Sequence, residues 1–134
     1  EKVQLLIARK IELFWTRNFS EAIPYNNLVI GVPKEVWRNE KRIALTPSIA
    51  ANLVKKGFRV RIERNAGLNA MFSNEEFEKE GATICNKSEC FQSDIILKVR
   101  QPLISEVDEF NEEATIISFL YPAQNQQLIN KLSV

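Results

Sequence analysis

Five short apolar runs recur along this chain, and helical patterns separate most of them. Residues 28–32 are apolar without interruption and stop at Pro33, as a strand buried on both faces does. Thr46-Pro47 sets a cap residue ahead of a proline at the first helical position. That helix runs to Lys55-Lys56, and Gly57 closes it. Residues 58–62 follow as a second strand. Ser73 and Glu76 have the spacing of a capping box and open a short helix that Gly81 ends. Residues 82–84 make a brief third strand, and 94–99 and 115–120 two more that are rich in β-branched side chains. A helix near 105–110 lies between those two, and a last helix begins over 124–132. Strands joined by helices of one to three turns need right-handed crossovers, hence a parallel sheet covered on both faces. Because the runs are apolar throughout rather than alternating, both faces are expected to be buried. The spacing predicts a doubly wound α/β lobe of about five strands, Rossmann- or flavodoxin-like, over residues 28–134.

Residues 1–27 read differently. Val3, Leu6, Ile7 and Phe14 recur at helical spacing, while Lys2, Arg9, Lys10 and Arg17 gather on another side. The expectation is an N-terminal amphipathic helix and connector, broken at Pro24 and Asn26-Asn27. A linker or docking helix, a membrane-surface contact and a targeting segment all fit this pattern. Glu1, Glu12 and the bulky Phe14-Trp15 pair count against a transit peptide, which is poor in acids.

Composition removes several chemistries. There is no histidine among the 134 residues, so imidazole acid/base catalysis, His-containing triads and His metal sites are excluded within the chain. The four glycines, Gly31, Gly57, Gly67 and Gly81, stand too far apart for a phosphate-cradling loop. Cys85 and Cys90 are too few for a zinc site or a disulfide framework, and read as structural or incidental thiols, with a redox pair as the alternative. A formal charge of +1 gives no reason to expect nucleic acid as a partner, and no apolar stretch is long enough to span a bilayer.

In an open parallel sheet the ligand crevice lies beyond the carboxyl ends of the strands. Those ends carry Lys34, Glu35 and then Arg42 after the first strand, Lys98 and Arg100 on the fourth, and Tyr121 and Gln124 after the fifth. A two-residue period puts Ile96, Lys98 and Arg100 on one face of the fourth strand. Two cations on a buried face need anions: Glu35, Glu40 or solvent on one reading, a bound carboxylate or phosphate on the other. Arg42 stands just ahead of the Thr46 cap, where it could complete an anion pocket or pair with Glu40. Tyr121-Pro122 reads as a packed corner, and the acidic cluster at 75–80 as a solvated helix face.

The runs Ile30-Gly-Val-Pro-Lys-Glu35, Asn39-Glu-Lys-Arg-Ile-Ala-Leu-Thr-Pro47, Ala66-Gly-Leu68, Asp94-Ile-Ile-Leu-Lys-Val-Arg100 and Ser118-Phe-Leu-Tyr-Pro-Ala-Gln-Asn125 resemble, in order, the N-terminal part of the alanine dehydrogenase/pyridine nucleotide transhydrogenase family. The likeness spans residues 28–132. In the alanine dehydrogenase branch an arginine, a lysine and a histidine of this domain hold pyruvate. The resemblance puts Arg42 at the arginine position, Arg100 at the lysine position and Tyr121 at the histidine position. Hydride transfer between two nucleotides protonates no carbonyl, so the missing histidine fits the transhydrogenase branch.

That branch implies the first lobe of an NAD(H)-binding domain I in a proton-translocating enzyme that moves hydride between NADH and NADP⁺. NAD(H) is then held together with a second, glycine-rich lobe, and NADP(H) on a separate domain. Arg42, Arg100, Tyr121 and Gln124 become the cleft-facing cofactor-binding positions, with no catalytic residue and no metal site among these residues. The implied partners are the membrane and NADP-binding domains and a second copy in a homodimer. The implied place is the soluble part of a membrane-bound enzyme, on the matrix side in mitochondria or the cytoplasmic side in bacteria. The 134 residues alone are expected to be inactive and to bind NAD(H) weakly. An alanine dehydrogenase-like lobe and a non-enzymatic α/β binding domain are the alternatives.

Overall fold

The computed structural model describes residues 23–133. The helix expected over the first nineteen residues lies outside them. Pro24 caps a single 3-10 turn, Tyr25–Asn27, and the Tyr25 ring stacks on Phe58 at 4.6 Å.

Five strands follow: β1 (Val29–Val32), β2 (Arg59–Glu63), β3 (Thr83–Cys85), β4 (Ile95–Arg100) and β5 (Thr115–Phe119). All pair in parallel, in the order β3-β2-β1-β4-β5. Helices α1 (Pro47–Lys55), α2 (Asn74–Lys79), α3 (Lys87–Phe91), α4 (Ile104–Val107) and α5 (Gln126–Leu132) make the crossovers and the last element. The fold is thus the doubly wound α/β arrangement expected from the pattern of runs. A 3-10 turn, Leu68–Ala70, precedes α2.

Two cores lie in the domain. Ile30, Val32, Val60 and Ile62 of the central strands pack with Leu45, Ala50 and Phe77. Phe91, Ile96 and Phe110 form a smaller cluster, with the Phe91 and Phe110 rings edge to face at 4.7 Å. β1 is buried along its whole length. β2 and β5 are not: each alternates, and Arg59, Ile117 and Phe119 are exposed. Burial on both faces therefore holds for the central strand and fails for β5 at the sheet edge.

Helix α3 is the element the run pattern did not reveal. It carries a complete capping box: the Asn86 side chain accepts from Glu89 N at 2.8 Å, and Glu89 Oε2 accepts from Asn86 N at 3.0 Å. Cys85 and Cys90 occupy the flanking staple positions, and both are buried free thiols. The box at Ser73 and Glu76 is present as expected. Helix α4 is one turn, Ile104–Val107, rather than the longer helix expected near 105–110. Helix α5 starts at Gln126 because residues 121–125 are taken up by a turn in which Tyr121 O accepts from Gln124 N and Asn125 N.

Candidate functional site at the sheet reversal

From β1 the chain winds outward through β2 to β3, then returns to place β4 on the other side of β1. The reversal falls between β1 and β4, which is where an open α/β sheet forms a ligand crevice. These strands pair directly only at Ile30–Ile95 and Gly31–Ile96. A carboxylate closes each end of that short ladder. At the amino end Asp94 Oδ2 accepts from Val29 N at 2.7 Å. At the carboxyl end Glu35 Oε1 accepts from Val99 N at 2.6 Å and Oε2 from Arg100 N at 3.3 Å.

Glu35 also faces Lys98, whose Nζ is completely buried, 3.9 Å from Glu35 Oε2 and 3.5 Å from Glu106 Oε1. Glu106 Oε2 accepts from Leu103 N at 2.8 Å, tying α4 to the same cluster. Burial pushes the Glu35 carboxyl above its usual range; the Lys98 charge and the two backbone N–H groups oppose that push. Lys98 therefore has anionic partners inside the fold. Glu106 is the partner that sequence reasoning missed.

Arg100 behaves differently from Lys98. Between Leu97 and Arg100 the β4–β5 register shifts: Leu97 pairs with Ile117, but Arg100 with Phe119. Strand β4 takes three steps where β5 takes two, so the two-residue period that put Ile96, Lys98 and Arg100 on one face does not reach Arg100. Its guanidinium lies 5.8 Å from the Trp37 ring and 6.0 Å from the Tyr121 ring. Trp37 is fixed in turn, donating from Nε1 to Gln101 O at 2.7 Å. Arg100 Nε is buried without a hydrogen-bond partner, as is Gln101 Oε1. An unpartnered donor and an unpartnered acceptor on consecutive residues are each a polar group for which the fold itself supplies no partner.

Arg42 pairs with Glu40: Nε donates to Oε1 at 2.8 Å and a terminal nitrogen to Oε2 at 2.7 Å. The pair lowers the Glu40 carboxyl to about 2, mainly through these side-chain bonds, with the Arg100 charge adding to the effect. Of the two readings of Arg42, the pairing with Glu40 is the one observed. Thr46 does cap α1, but its hydroxyl bonds Ser48 Oγ rather than a backbone N–H.

Tyr121 is not a packed corner. It is 45% exposed, and its φ of 51° puts a bulky residue in the left-handed region, a costly conformation that three hydrogen bonds to its carbonyl oxygen hold in place. Gln124 lines an adjoining cleft of about 590 Å³, together with Trp37, Gln101, Leu103 and Asn125. Of the four expected site residues, then, Arg100 and Tyr121 are brought together, with Trp37 also near the guanidinium. Gln124 lies in the cleft that Trp37 shares, and Arg42 is outside its lining, paired with Glu40. Trp37 itself was missed, although an aromatic residue in the polar loop after a strand was the available signal.

Among the described residues no cluster of three or more His, Cys, Asp or Glu could hold a metal ion, and no helix is long and apolar enough to cross a membrane.

The sequence model of the family described as "Alanine dehydrogenase/PNT, N-terminal domain" matches residues 31–134. The chain is 41% identical over 106 residues to the NAD(P) transhydrogenase subunit alpha of Haemophilus influenzae, covering 79% of this chain and 21% of that protein. It is 34% identical over 105 residues to alanine dehydrogenase 1 of Staphylococcus aureus, covering 78% and 28%. The solved structure of a transhydrogenase from Sinorhizobium meliloti superposes with a TM-score of 0.76 at 30% identity, over 78% of this chain and 32% of that one. The chain thus spans between a fifth and a third of the length of these relatives.

Proposed function

Because the chain belongs to the alanine dehydrogenase/PNT family, we propose that it forms the first lobe of the NAD(H)-binding domain I of a proton-translocating NAD(P) transhydrogenase. The observation that carries the branch assignment is the absence of histidine. With Tyr121 at the family's histidine position there is no imidazole to protonate a carbonyl, and transfer of hydride from one nicotinamide to another needs none. The greater identity to the transhydrogenase subunit than to the alanine dehydrogenase supports the same reading.

NADH held at the reversal would supply the hydride. The residues of this lobe bind and orient. Arg100 Nε offers an unused donor to a phosphate or carboxamide oxygen, and Gln101 Oε1 offers an acceptor. Tyr121 and Trp37 supply aromatic surfaces near the guanidinium. Gln124 adds an amide in the adjoining cleft. Arg42 reaches an anion by exchanging Glu40 for it. The glycine-rich loop that would cradle a pyrophosphate is not found in the 134 residues, so this lobe forms one wall of the site. The NADP(H)-binding and membrane domains, a second copy in a homodimer and the membrane-bound setting belong to the same proposal.

The test is an assay of the full-length protein in membranes. NADH with an NADP⁺ analogue is expected to give hydride transfer, and NADH with pyruvate and ammonium to give none. Pyruvate-dependent NADH oxidation would move the chain to the alanine dehydrogenase branch and show that another group replaces the histidine.

A further inference from the structure

We infer that Glu35 is the positioning residue for Arg100: its carboxylate stands in for β1 where β1 and β4 part, and so aims the guanidinium into the cleft. The backbone ladder between these strands stops at Gly31–Ile96, and β1 itself ends at Val32. Three residues further along β4, Val99 N and Arg100 N both bond the one Glu35 side chain. In a regular strand, successive N–H groups point to opposite edges and cannot share an acceptor. They converge here because β4 carries an extra residue between Leu97 and Arg100, and the carboxylate binds that bulged backbone. The same bulge takes Arg100 out of the buried row that holds Ile96 and Lys98, and leaves its guanidinium near the Trp37 and Tyr121 rings.

Only a carboxylate satisfies this geometry. Both oxygens accept, and the negative charge faces Lys98 Nζ. Glutamine keeps the size of the side chain but turns one acceptor into a donor that confronts an N–H. Aspartate keeps the charge but shortens the reach.

That Arg100 contacts nucleotide rests on the function proposed above; that Glu35 holds the bulge does not. Two readouts on the full-length protein separate them: NADH affinity, and hydrogen exchange of the segment spanning residues 97–102. Glu35→Gln should speed exchange in that segment and weaken NADH binding about tenfold. In an Arg100→Ala background it should weaken binding no further. Glu35→Asp, which preserves the charge opposite Lys98, should show the same two effects in smaller measure, separating lost backbone bonds from general unfolding. Unchanged exchange in both Glu35 variants, or affinity losses that add independently to that of Arg100→Ala, would overturn the inference. An Arg100→Ala variant with normal NADH affinity would instead sink the nucleotide reading of the cleft, and exchange alone would then decide whether Glu35 holds the bulge.

Discussion

At the residue scale Glu35, Glu40, Arg42 and Lys98 at the carboxyl edge of the sheet are paired with one another or with Glu106. Glu40 keeps its charge in the folded chain down to about pH 2, against an ordinary 4.5, because Arg42 grips it through both oxygens. A carboxyl whose folded-state value lies below its unfolded one adds stability above the unfolded value, and that stability drains away as pH falls toward the folded one. Wild-type protein should therefore lose more stability between pH 4.5 and about 2 than Glu40→Gln, as read by urea denaturation at each pH. Lys98 is the opposite case, a buried cation between two carboxylates with no hydrogen bond of its own. Lys98→Met leaves the buried Glu35 and Glu106 without their shared counter-charge, and should cost about 3–5 kcal/mol at neutral pH. Burial already favours the protonated form of Glu35, and protonation removes its uncompensated charge, so the deficit should shrink on acidification. A deficit independent of pH would mean that packing, not charge, sets the role of Lys98.

At the element scale the joint between α3 and β1 tolerates least. A Cβ added at Gly31 would come within 2.4 Å of Cys90 O and 2.6 Å of Ser93 Oγ. The first of these is backbone, so the helix end itself must move. Gly31→Ala should destabilise by about 1–3 kcal/mol, measured as a shifted denaturation midpoint with an unchanged slope. The other end of α3 depends on its capping box. Asn86→Ala should cost about 1 kcal/mol, and a Ser or Asp at that position should recover most of it. Full stability in Asn86→Ala would mean that Cys85, Phe91 and Gly31 alone hold the helix in place. Both capping boxes have the same local form, a polar cap residue with a glutamate three positions on. The one at Ser73 announced its helix; the one at Asn86 went unread because α3 is five residues long and shows no helical period.

At the scale of the whole molecule, several exposed apolar side chains lie at the sheet edge or beyond the carboxyl ends of its strands. Ile117 and Phe119 lie on the edge strand β5, while Leu68, Met71, Leu103 and Tyr121 follow the carboxyl ends of β2, β4 and β5. A nucleotide site with a single wall leaves most of its ligand in water. The 134-residue chain alone should therefore show no saturable heat on titration with micromolar NADH. Saturable binding in that range would mean that Arg100, Gln101 and Trp37 form a sufficient site without a glycine-rich lobe.

What the sequence by itself determined is local or periodic. The caps at Thr46 and Ser73, the stop at Gly57, the run of β1 and the parallel class of the sheet depend on residues within a few positions of one another. The family likeness was legible for a related reason: it is carried by contiguous runs. The tertiary structure alone decided which charges met. Glu35 reaches Val99 across 64 positions, and Trp37 reaches Gln101 across the same separation. The bulge that separates Arg100 from Lys98 exists only where β5 lies alongside β4. No period in β4 encodes it, because a strand's register is a relation between two segments, and the alternation within one of them is silent about the other.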